Sequence, residues 1–381
     1  MKIVHTYIRN MGINYDNLEK LTSLDRWGLT SAVNLGHEVT LVCGAPGKLK
    51  RRKEYMVKGV KVIELPIRHQ FTSTSKIIKG MYKELMKIDA DIFHAHHYGS
   101  FVPEITAIVA KKRKIPIFMT IHNTFDEMTG IRWIIQKGYL LFMQPFINMF
   151  DGIFFISNFI KDRFYFDLLQ RKRKILLRNY VRFTPPPLEN IERKTNSIMY
   201  LGGVKPVKGV DILIKEFKKL NRPELELHII GSYAEHKEYQ KYLEKISKGL
   251  NIKFYGPLFG KDKFKHLYEN TILVVPSRKE CFCNVVIEGM ACEIPVIVSN
   301  GEALPETAGG KGLVFKLKKP GDLTKKLRYL LDNPDIREQK VKEAKEYSKF
   351  YTKDKIGKNL LYRYTKALNK KQNKNHKKLE K

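Results

Sequence analysis

Short apolar runs alternate with helix-length segments along nearly the whole chain, and the alternation stops once and restarts. Runs at residues 3–7 and 37–44 flank a helical pattern over 17–35, with Gly36 placed where a helix C-terminus favours a left-handed residue. Further runs follow at 60–65, 92–94, 115–121 and 153–156, several of them separated by helical patterns. Apolar strands that alternate with helices specify a parallel sheet covered on both faces.

The rhythm breaks over 183–196, where Pro185-Pro186-Pro187 and a polar stretch predict a linker at 184–196. It then resumes with strands at 197–201, 225–230, 252–255, 272–275 and 295–299 and helices at 210–220, 235–248 and 261–270. A chain of 381 residues exceeds what one core usually serves. The expected organisation is therefore two doubly wound, Rossmann-like α/β domains, 1–183 and 197–352, facing a deep cleft. A C-terminal helix over 353–369 is expected to pack back toward the first domain, and the Lys- and Asn-rich tail 370–381, with little to bury, to be disordered.

Charge narrows the partners. With 71 Lys and Arg against 39 Asp and Glu, the net charge of +32 attracts anions of any kind. No nucleic-acid-binding motif accompanies it, so a general basic or membrane-facing surface is expected, and no specific nucleic acid. Four cysteines, Cys43, Cys281, Cys283 and Cys292, without a secretory signal fit a reducing cytoplasm, and no fourth ligand follows at a zinc-type spacing. Residues 131–160 are apolar but interrupted by Arg132, Lys137, Pro145 and Asp151. They fall short of the roughly 20 apolar residues that span a membrane, and predict an amphipathic helix over 132–150 and a buried strand over 152–157. The expected location is cytoplasmic, peripheral at the inner face of the membrane.

Two carboxylates mark the candidate site. Glu280 and Glu288 follow the strand at 272–275 and the breaker Pro276-Ser277, and lead into a helix. First-turn backbone N–H groups at a strand's C-terminal edge suit phosphate, whereas carboxylates accept hydrogen bonds from paired hydroxyls. A ligand with a phosphate centre and polyhydroxy ends, such as a nucleotide sugar, fits both. Gly202-Gly203-Val-Lys205-Pro-Val-Lys208-Gly209 forms a second loop where backbone and ammonium groups can approach phosphate. His94, His96, His97 and His122 fall at C-terminal ends of expected strands, the edge where this architecture holds ligands.

These residues resemble the retaining GT-B glycosyltransferases of glycosyltransferase group 1, or family 4. Glu280 to Glu288 is similar to that family's Glu-x7-Glu motif, with Pro276-Ser277 and Met290-Ala291 alongside. Gly231, Gly256, Pro295-Val296-Ile297 and Glu306 fall at familiar places, and Gly36-His37-Glu38-Val39, Asp91 to His96, Thr120-Ile121-His122 and Ser157 resemble the acceptor-side pattern. The resemblance implies an NDP-sugar-dependent hexosyltransferase acting with retention on a glycan or lipid-linked hydroxyl. UDP- or GDP-sugars would be the donors, and no cofactor or metal would be required. Glu288 would hold ribose hydroxyls, and Glu280 with backbone of Phe282, Cys283, Asn284 and Val285 would face the sugar. Lys208, with Gly203, Lys205 and Gly231, would serve the diphosphate; His122 would lie beside the sugar from the other domain, and Gly12 would approach phosphate or acceptor.

The chain also departs from the family. Gly203 stands where an arginine is usual, with Lys205 as the substitute cation. Glu280-Cys281-Phe282-Cys283 replaces Glu-Gly-Phe-Gly, Met11-Gly12 replaces a double glycine, and Tyr180 and Arg182 replace Gly and Asp of the inter-domain segment. These changes leave the donor sugar open. Two other classes stay open with it: a GT-B protein that binds nucleotide sugar or glycan without transfer, and a basic scaffold for nucleic acid or membrane.

Overall fold

The computed structural model describes residues 1–8, 28–45, 50–70, 76–97, 100–122, 138, 141–142, 144–163, 174–176, 191–233 and 236–379. The chain forms two compact units, one of Met1–Arg182 with Lys353–Lys381 and the other of Phe183–Thr352.

The first unit is built on β1 (Lys2–Tyr7), β2 (Glu38–Gly44), β3 (Lys53–Val57), β4 (Val60–Leu65), the hairpin β5 (Ile67–Gln70) and β6 (Lys76–Ile78), β7 (Ile92–His96), β8 (Ile117–Ile121), β9 (Gly152–Phe155) and β10 (Lys174–Leu176). Eight of these form one sheet in the order β10-β9-β8-β7-β1-β2-β4-β3. All its pairings are parallel except β3 with β4. The central strands β1, β7 and β8 are buried almost throughout, as expected of parallel strands covered on both faces. Strand β3 escapes that pattern because it is an edge strand with mostly exposed residues, Lys53-Glu54-Tyr55-Met56, and charge on an edge protects it from pairing with other chains.

The C-terminal helix, Lys353–Leu379, belongs to this unit. A Cβ on Gly357 would come within 2.2 Å of Ser31 Oγ, and Ser31 Oγ donates to the carbonyl of Lys353 at 3.4 Å, so this helix and Leu29–Asn34 approach closely. The helix runs on to Leu379, through most of the tail from residue 370. Little burial is no bar to continuation. Once the packed part has nucleated, each further residue adds a hydrogen bond, and Lys and Gln favour the helix.

In the second unit a six-stranded parallel sheet has the order β13-β12-β11-β14-β15-β16. Its strands are β11 (Ser197–Leu201), β12 (Glu226–Ile230), β13 (Ile252–Gly256), β14 (Ile272–Val275), β15 (Val296–Ser299) and β16 (Leu313–Phe315). Leu213, Phe217, Leu243, Leu323 and Leu327 pack in one core with Ile198, Leu227 and Val274 of the sheet. From β11 the chain builds outward to β12 and β13, then crosses to β14 on the other side. Beyond the strand ends at this reversal lies the crevice where doubly wound sheets bind ligands.

Most of the expected linker, Gly12, and about half of the expected helix over 132–150 lie outside the described residues. Of the linker's end, Arg193 donates to the carbonyls of Asn270 and Cys292 at 2.9 and 3.0 Å, and Lys194 N to Glu269 O at 2.7 Å. That end is tied into the second unit.

Candidate active site

The loops after β11 and β14, neighbours at the reversal, carry the candidate residues. Lys208 closes a 3-10 turn, Pro206–Lys208, and its Nζ donates to Glu280 Oε1 at 2.5 Å. Ser277 Oγ donates to the same oxygen at 3.0 Å. Both charged side chains are largely buried, with 23% and 12% exposure. Burial works to lower the Lys208 pKa, but Glu280 outweighs it and the ammonium is held above the usual lysine range. A cation is therefore locked between the two loops at neutral pH.

The loops are also joined through their backbones. Gly209 adopts φ +71°, and a Cβ there would lie 2.1 Å from the Pro276 carbonyl oxygen, so no other residue fits without displacing the β14 loop. Arg278 N donates to Val207 O at 2.8 Å. The Arg278 guanidinium bonds both Asp211 oxygens, at 2.9 and 2.7 Å, the fork geometry that a lysine lacks. Tyr239 OH adds a bond to Asp211 Oδ1 at 2.7 Å. Burial pushes the Asp211 carboxyl up, but Arg278 and Tyr239 override it and hold it below the usual range.

Gly231 explains itself by space. A Cβ there would sit 1.7 Å from the Gly202 carbonyl oxygen, because Gly202 N and Val204 N donate to Ile230 O and Ser232 O, both at 2.9 Å, and draw the β11 and β12 loops together. Gly203 differs: it is exposed, and a Cβ there meets nothing within 4 Å. Its lack of a side chain is a chemical vacancy, not a steric requirement. Lys205 is exposed on the same loop.

Beyond Glu280 the chain turns into the helix Asn284–Ala291 through Cys283, whose φ of +72° is unusual for a side-chain-bearing residue. Phe282 is buried and its ring lies 5.7 Å from that of Tyr351, so only its backbone remains for a ligand. Thr307 Oγ1 donates to the Phe282 carbonyl, and Ala303 N to the Glu280 carbonyl at 3.1 Å; these bonds hold the turn. Burial and Glu280 push the Cys283 thiol far up, which keeps it protonated and unreactive. Among the described residues, Asn284 Oδ1 is buried without a hydrogen-bond partner, an unsatisfied acceptor at the start of the helix. Glu288, one turn further, is 5% exposed and accepts from Lys263 Nζ at 3.0 Å.

Lys263 and the Arg278–Asp211 pair were not legible as partners. They join residues 25 and 67 positions apart, and no local spacing announces such contacts.

His122 belongs to the first unit, where it sits in a group of imidazoles. His5 stacks on His94 and His96 with ring centroids 4.9 and 5.2 Å apart, and His96 stacks on His122 at 5.3 Å. Among the described residues, no group of three or more His, Cys, Asp or Glu side chains is arranged to hold a metal ion. Also among them, no helix is long and apolar enough to cross a membrane.

Comparison with known proteins bears on the family and the fold. The family described as "Glycosyl transferases group 1" matches residues 186–347, and "Glycosyltransferase Family 4" matches 30–173. These matches support a group 1 glycosyltransferase. An uncharacterized glycosyltransferase of Methanocaldococcus jannaschii is 29% identical over 308 residues, covering 80% of this chain and 84% of the relative. Two solved structures share the fold. A glycosyltransferase from Rickettsia africae matches at a TM-score of 0.73 and 15% identity, covering 96% of this chain and 98% of its own. HepE of Anabaena, solved in complex with UDP, matches at 0.73 and 14%, covering 96% and 100%. The fold is GT-B, with two Rossmann-like domains.

Proposed function

We propose that this glycosyltransferase moves a hexosyl group from a UDP- or GDP-sugar to a hydroxyl of a glycan or lipid-linked acceptor, with retention at the anomeric carbon. The observation that carries the reading is the Lys208–Glu280 pair, which bridges two loops at the strand-order reversal. A persistent ammonium there suits a departing diphosphate, and the first turn of Asn284–Ala291 offers backbone donors beside it. Glu280 would then exchange part of its bond with Lys208 for sugar hydroxyls, and Glu288 would accept from ribose. Lys205 would add a second positive charge in place of the arginine absent at Gly203. His122 is assigned to the transferred sugar. Similarity to a fold solved with UDP supports a nucleotide donor.

Rate would come from positioning and charge stabilisation rather than from a strong base, with no metal required. To test the reading, nucleotide release is measured over a panel of NDP-sugars with the unmodified protein and Glu288→Ala. Release from one donor, abolished by the substitution, is expected; equal release from both proteins removes the site assignment.

Attachment to the surface of anionic membranes is proposed with it. Its support is the net charge of +32 and the exposed Leu141 and Phe142. Co-sedimentation with anionic but not neutral vesicles is the expected result.

A further inference from the structure

The imidazoles of the first unit form a directed chain. His5 Nδ1 lies 2.9 Å from His96 Nε2, and His96 Nδ1 lies 3.0 Å from His122 Nε2. Strand register builds it: β1, β7 and β8 are neighbours, His5 pairs with His94, and His96 pairs with Thr120. The two-residue period of strands places His94 and His96, and Thr120 and His122, on one face. His94 is held apart from the chain's bonding, by Thr120 Oγ1 at 2.7 Å from its Nε2 and by Tyr364 OH of the C-terminal helix at its Nδ1. It serves as a stacking wall, 4.6 Å from the His96 ring.

We propose that His96 and His5 are positioning residues that set which ring nitrogen of His122 carries its proton. A neutral imidazole has one N–H and one lone pair. If His5 Nδ1 donates to His96 Nε2, then His96 Nδ1 donates to His122 Nε2, and His122 carries its proton on Nδ1. If His122 Nε2 donates, His96 Nε2 donates in turn to His5, and His122 presents a lone pair at Nδ1. Any mixed order sets two N–H groups, or two lone pairs, against each other in a buried place, which hydrogen-bonded networks avoid. The three residues therefore share one tautomer. Burial keeps His5 and His96 neutral, pushing His5 down to about 3 and His96 well below the usual imidazole range.

This inference rests on the reading of His122 as a group acting at the transferred sugar, and its test separates the two. Histidine-selective 15N labelling of the full-length protein reports the tautomer at each ring and the couplings across N–H···N bonds. One shared tautomer for His5, His96 and His122 is expected; different tautomers at His96 and His122 overturn the proposal. In His96→Phe, which keeps a stacked ring, the His122 nitrogens should shift toward the mixed values of a free imidazole. The kcat should fall about tenfold, with the KM for the nucleotide sugar unchanged. Unshifted His122 nitrogens in that variant overturn the positioning role whatever the rate does. Shifted nitrogens with an unchanged kcat leave the chain in place and remove His122 from the chemistry.

Discussion

Lys208 Nζ and Glu280 Oε1, 72 residues apart in sequence, are hydrogen-bonded across the strand-order reversal of the second unit. Because the partner keeps the lysine charged, its removal tests electrostatic stabilisation directly. Lys208→Ala should lower kcat/KM by about 100-fold, the loss typical for one preorganised group facing developing charge. Lys208→Arg should recover part of it. Steady-state kinetics at saturating acceptor checks both.

Glu288 is buried against Lys263. Glu288→Gln retains the shape but loses the charged acceptor, so a nucleoside diphosphate should bind about 10- to 100-fold more weakly, in line with about 1.5–3 kcal/mol for a hydrogen bond to a charged group. Calorimetric titration gives the Kd, and unchanged affinity removes Glu288 from the ribose.

Gly203 and Gly231 should behave oppositely. Open space at Gly203 means Gly203→Arg should leave stability within about 0.5 kcal/mol, and the added cation should tighten nucleoside diphosphate binding. Gly231→Ala drives a methyl into the Gly202 carbonyl and should cost about 1–3 kcal/mol. Chemical denaturation of the two variants measures the contrast.

The buried imidazoles make stability depend on pH. His5 is held neutral, at about 3 against an ordinary 6.5, and His94 and His96 are lowered too. Below 6.5 the unfolded chain takes up protons that the folded chain refuses, so stability falls with falling pH, over the window from 6.5 to about 3 for His5. Each such histidine should contribute a loss of about 1 kcal/mol per pH unit. Denaturation curves at pH 7.5 and 5.5 should therefore differ less in His5→Phe than in the unmodified protein, by about 1 kcal/mol.

Much of the second unit could be read directly from the chain. The strands Ser197–Leu201 and Ile272–Val275 stand where apolar runs end at Gly202 and Pro276, since burial on both faces writes itself into consecutive residues. The first unit was less legible at its margins. Strand β3 alternates charge, and the helix beyond residue 370 has almost no apolar signal. Both draw their order from neighbours or from helix propagation rather than from burial of their own.

The sequence by itself determined the alternating α/β plan, the break between its two halves and the loops that follow β11 and β14, because periodicity and chain-breaking residues act locally. It also placed Glu280, Lys208 and His122 in segments that follow strands, and Glu288 in the helix after β14. Only the tertiary structure decided their partners: Glu280 with Lys208, Glu288 with Lys263, Arg278 with Asp211, and His122 with His96 and His5. Those pairings depend on strand order and register, which bring distant segments side by side and leave no trace in local spacing.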